Sequence, residues 1–193
     1  MTSYFKSFCL GAVSLFSTLS LLADTIVLPN PANGVRTASL GDAISGTYGN
    51  SLNPSVTTIG NAFGGSWLNE GELTAAGSND WLKITLDAGK TWGTDVSGTW
   101  EISADFWQTW GRAVISMHVG HGGGDPDYFA WEITSNNTSG SFSYQRLSGT
   151  GGGLSNIKLW GSGTPSVSEG GSTVLLLGAA LLGLAAAARR RRA

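Results

Sequence analysis

The chain has 193 residues, only 12% of them charged, and a formal net charge of −2. Between residues 24 and 161 twelve acids face six bases, which disfavours nucleic acid or any other polyanion as a partner. The single cysteine, Cys9, excludes an internal disulfide framework.

At the N-terminus, Lys6 precedes an apolar stretch from Phe8 to Leu22 and the small residue Ala23. This order of basic, apolar and small residues is that of a secretory signal peptide over residues 1–23, to be cut by signal peptidase. The segment from Asp24 to about Gly60 is rich in Gly, Asn, Pro and Ser and reads as loop or edge material, with one or two weak strands. A core domain is therefore expected over about 40–161, within a mature region of 24–161.

From Trp67 onward, short apolar and aromatic runs alternate with polar residues and are interrupted by Gly, Asn and Asp at roughly ten- to fifteen-residue intervals. Because successive side chains of a strand point to opposite faces, each run can be read by face. Leu82, Ile84 and Leu86 share one face, as do Trp100, Ile102 and Ala104. Ala113, Ile115, Met117 and Val119 form a third apolar set, leaving Val114, Ser116 and His118 outward. Tyr128–Ile133, Phe142–Leu147 and Leu154–Trp160 complete the strong candidates. No helical period of useful length is present. The pattern predicts an all-β fold, an antiparallel β-sandwich of jelly-roll type.

All eight tryptophans fall between Trp67 and Trp160. Trp100 and Trp131 are expected in the core, while Trp92, Trp107 and Trp110 are candidates for stacking on sugar rings. His118, His121, Asp125 and Asp127 gather imidazole and carboxylate within ten residues, a candidate site for zinc or calcium, although the spacing matches no tight metal motif. Glu101 and Glu132, the only pair of acids on neighbouring strong strands, are the carboxylates a hydrolase would use. The glycine runs at Gly122–Gly124 and Gly151–Gly153 are expected either to turn sharply or to let another group approach the backbone.

After a linker from Gly161 to Ser166, residues 174–188 form an apolar run followed by Arg189, Arg190, Arg191 and Arg192. As a helix it would span about 22 Å, somewhat under the roughly 30 Å hydrocarbon core. Four arginines beside an apolar helix mark its cytoplasmic end. Residues 162–173 thus serve as linker and motif, 174–188 as a single transmembrane helix, and 189–193 as a basic tail.

A short motif, an apolar helix and an arginine cluster in that order resemble the PEP-CTERM sorting signals, specifically the VPDSG-CTERM type. The motif position reads Val167-Ser168-Glu169-Gly170-Gly171. Val167 and Gly171 match the type, Glu169 keeps its acid, and Ser168, Glu169 and Gly170 stand where the type has Pro, Asp and Ser. The resemblance implies export, retention in the membrane, and processing by an exosortase-like membrane protease. It further implies delivery to the cell surface or an exopolysaccharide matrix. The functional expectation is a non-enzymatic surface or matrix protein without a cofactor, with carbohydrate as its candidate ligand. A secreted carbohydrate-active or metal-dependent hydrolase is the alternative.

Overall fold

In a computed structural model, the described residues are 24–29, 34–50, 53–120, 124–165 and 177–181. In chain order the elements are β1 (Ile26–Leu28), β2 (Arg36–Leu40), β3 (Ala43–Gly49), α1 (Val56–Phe63), β4 (Trp67–Leu73), β5 (Gly77–Ser78) and β6 (Leu82–Leu86). They continue with β7 (Asp95–Ile102), α2 (Phe106–Thr109), β8 (Arg112–Val119), β9 (Tyr128–Ile133), β10 (Ser139–Arg146) and β11 (Leu154–Ser162).

Two antiparallel sheets enclose the core. Sheet A has the order β1-β2-β10-β7-β6-β5, and sheet B has β3-β9-β8-β11-β4. The pairs β6–β7 and β8–β9 are hairpins within one sheet, whereas β2 with β10 and β3 with β9 are nested pairs between distant parts of the chain. At Gly41-Asp42 the chain leaves sheet A for sheet B, with Asp42 at φ 65°.

Alternation builds the interior. Leu82, Ile84, Val96, Trp100, Ile102, Phe142 and Tyr144 project from sheet A, and Ala113, Ile115, Met117, Val119, Phe129, Trp131 and Ile133 meet them from sheet B. Trp100 and Trp131 are fully buried. Trp131 stacks on Phe129 with ring centroids 6.0 Å apart and donates its Nε1 hydrogen to Ile26 O at 3.1 Å, joining sheet B to the first strand of sheet A. Gly46 makes room for this indole, because a Cβ there would lie 2.8 Å from Trp131 Cδ1 and 2.9 Å from Leu28 Cδ1.

Two parts of the sequence reading need correction. Within 24–60, β1 and β3 are edge strands as expected, but β2 lies inside sheet A, and Leu28, Ala38 and Leu40 belong to the core. Its inward set is Arg36, Ala38 and Leu40, so a buried arginine and a small alanine hide the apolar alternation. The missed helix, α1, is a short one in which Val56, Thr57, Thr58 and Ile59 are all β-branched, giving low intrinsic helix preference. Ser55 caps it, accepting from Thr58 N at 3.2 Å.

Tertiary packing makes that helix. Its Ile59 is fully buried among Trp67, Val114, Tyr128, Ala130 and Trp160 on the outer face of sheet B, with Phe63 set edge-on to Trp67. Val114 and Ser116 were expected outward and are on that outer face, but both are buried. Sheet B is therefore covered on both sides over part of its area. Sheet A keeps its outer face open, and there Thr85, Thr99, Ser139 and Ser141 are exposed.

Residues 177–181 are helical, and among the described residues no helix is long and apolar enough to cross a membrane. Val167, Ser168, Glu169, Gly170, Gly171 and Arg189, Arg190, Arg191, Arg192 lie outside the described residues, as does the N-terminal segment 1–23.

Candidate functional site

The two ends of the sandwich differ in chemistry. At one end the loops before β9 and before β11 converge on Arg36, which is fully buried. Its guanidinium donates to Pro126 O at 3.0 Å, Asp127 Oδ1 at 3.1 Å and Gly120 O at 3.3 Å. Gly152, at φ 68°, passes so close that a Cβ would lie 2.0 Å from Nη2 of Arg36. Tyr144 Oη donates to Gly152 O, and Arg146 donates to Gly151 O at 2.7 Å. Burial raises the Tyr144 phenol above its usual range, so it stays a donor at neutral pH. The group that the glycine run of 151–153 admits is thus a side chain of the protein itself.

This arrangement bears on the metal reading. The carboxylate of Asp127 holds a guanidinium, and that positive charge opposes a second cation at the same place. Asp125 is exposed, His118 is half-buried on the outer face of sheet B, and His121 lies outside the described residues. Among the described residues no group of three or more His, Cys, Asp or Glu is placed to hold a metal ion. Burial lowers the His118 pKa below its ordinary value; the nearby Asp127 carboxylate acts the other way, and Lys158 adds to the lowering. Its Nδ1 is buried without a partner among the described residues, as is Oδ1 of Asn156, the residue opposite it on β11.

The tryptophans proposed as a sugar platform are separated and inward. Trp92 precedes β7 and Trp107 and Trp110 follow it, so a strand of eight residues, about 26 Å long, lies between them. Trp107 is 7% exposed and donates to Asn137 O at 2.8 Å. Trp92 and Trp110 pack against the core with their Nε1 atoms buried, and the Trp110 ring lies on Gly161. The three do not make one surface.

The acid pair is also divided. Glu101 is on the outer face of sheet A and bonds Lys83 at 2.7 Å; Glu132 is on the outer face of sheet B and bonds Arg112 Nε at 2.6 Å. The full thickness of the sandwich lies between them, so they cannot flank one bond. The sequence suggests neighbouring strands, but β7 and β9 belong to different sheets.

What the geometry does bring together lies at the other end of sheet A. An open depression of about 610 Å³ is lined by Thr99, Glu101, Ile102, Ala104, Thr138 and Ser139. A second, of about 250 Å³, shares Glu101 and Ile102 and adds Asp80, Trp81, Lys83 and Ser103. Asn79 Oδ1 accepts from the backbone N–H groups of Trp81 and Leu82 at 3.0 and 2.8 Å, fixing the loop that carries Trp81. Trp81 had no distinguishing signal in the sequence beyond its place just before a strand. No protein-family model, curated protein or solved structure matches the chain.

Proposed function

We propose that the chain is an exported, non-enzymatic surface or matrix protein whose jelly-roll-like sandwich binds carbohydrate weakly. It is led out by its N-terminal segment, which signal peptidase removes. Residues 174–188 then hold it in the membrane with Arg189–Arg192 on the cytoplasmic side, and an exosortase-like membrane protease acts on the motif at Val167–Gly171 on the outer side. The observation that carries this reading is the order of motif, apolar run and arginine cluster in the sequence. The open depressions on sheet A support carbohydrate as the ligand, since they combine hydroxyls and a carboxylate with a mostly apolar lining.

Protease protection in intact cells tests the topology. Externally added protease should digest the sandwich and leave an epitope after Ala193 protected, and replacing Arg189–Arg192 with glutamine should weaken retention and mix the orientations. A sandwich that is protected in intact cells overturns the proposal.

A further inference from the structure

Sheet A offers one place where a hydrogen-bonding ligand with an apolar side would find both halves of its chemistry. Along the edge of its outer face, Ser78, Lys83, Glu101 and Ser139 stand in register on β5, β6, β7 and β10. Four adjacent strands span about 14 Å, enough for a short run of linked sugar rings lying across them. The two depressions adjoin along this line and share Glu101 and Ile102.

We propose that this groove is a binding site for an uncharged polysaccharide, laid across the strands with one ring against Trp81 and its hydroxyls on Glu101. The proposal rests on the carbohydrate-binding reading above and names its place and ligand class. Trp81 is half-buried, packed against the core and set edge-on to Phe106 with centroids 6.0 Å apart, but unlike Trp92 and Trp110 it lines the second depression. Its indole presents the apolar area that one face of a sugar ring covers. Glu101, half-exposed, can accept from two neighbouring hydroxyls even while Lys83 holds one of its oxygens. The hydroxyls of Thr99, Thr138 and Ser139 line the other depression with no partner among the described residues, so they are available as donors and acceptors.

Charge sets the ligand class. Asp80 and Glu101 outnumber Lys83 in the groove, and acids outnumber bases in the domain as a whole. An anionic polymer would meet repulsion of its own sign, whereas a neutral one loses nothing. Ala104, which is exposed, supplies further apolar surface beside the hydroxyls.

Co-sedimentation of the full-length protein in detergent micelles with insoluble cellulose, chitin and xylan tests this, with alginate-coated beads as the anionic comparison. At least one neutral polymer should retain the protein and alginate should not. Trp81→Ala and Glu101→Gln should each weaken retention about fivefold, while Tyr48→Ser, an exposed aromatic on sheet B, should leave it unchanged. The glutamine variant keeps the shape of an exposed residue, so its effect is readable even if the alanine variant loses stability. Retention that neither groove substitution alters overturns the groove and leaves carbohydrate binding elsewhere on the protein. Retention by alginate equal to that by the neutral polymers overturns the ligand class. Retention by none of the neutral polymers overturns the carbohydrate reading itself.

Discussion

Arg36 and Asp127 form an ion pair across the closed end of the sandwich, Nη1 to Oδ1 at 3.1 Å, with side chains 1% and 12% exposed. It links β2 of sheet A to the loop that enters β9 of sheet B. Removing the acid takes the opposite charge from a fully buried guanidinium, so Asp127→Ala should destabilise by about 3 kcal/mol. Replacing both partners with leucine or methionine should recover much of that loss. Urea unfolding midpoints of the two variants decide it, and equal losses would show that the pairing itself matters little.

Gly152→Ala should be costly for a separate reason. Its φ of 68° is unfavourable for an L side chain, and the added Cβ would meet Arg36. Thermal unfolding should show a clear drop in Tm, whereas Gly163→Ala, also at positive φ but with open space around it, should show a smaller one.

The packing of α1 on sheet B is tested at Ile59. Cutting this fully buried side chain to alanine should cost about 2–4 kcal/mol. Because Trp67 and Trp160 belong to the same cluster, their fluorescence should shift to longer wavelength before global unfolding in mild denaturant. Coincident transitions by fluorescence and circular dichroism would show instead that α1 opens only with the whole domain.

These tests follow from the uneven way the chain discloses itself. The apolar sets of β6, β7 and β8 were readable because alternation is local and each strand turns one apolar face inward. β2 was not, since its inward residues include Arg36, whose burial depends on Asp127 ninety-one positions away. α1 exists through contacts that its β-branched residues do not announce. The number of tryptophans signalled a large aromatic core, but not that Trp107 faces inward while Trp81 borders a depression. Likewise Glu101 and Glu132 looked like neighbours because sheet membership is a property of the topology, and no stretch of residues encodes it alone.

His118 makes stability depend on pH. Its folded pKa lies below the ordinary value, chiefly through burial, so the unfolded chain takes up a proton first. The stability this neutral imidazole contributes is present above about pH 6.5 and is lost as pH falls through the lower, folded value. Wild-type Tm should therefore decline more steeply between pH 7.5 and 5 than that of His118→Gln. Parallel curves would assign the decline to the acids.

Export and C-terminal sorting are tested most directly by mass spectrometry of both ends of the mature protein, recovered from membrane and extracellular fractions. The account predicts an N-terminus at Asp24, a membrane form that retains residues 174–188, and an extracellular form ending within Val167–Gly171. Uncut protein found soluble in the cytosol, beginning at Met1 and ending at Ala193, would contradict it.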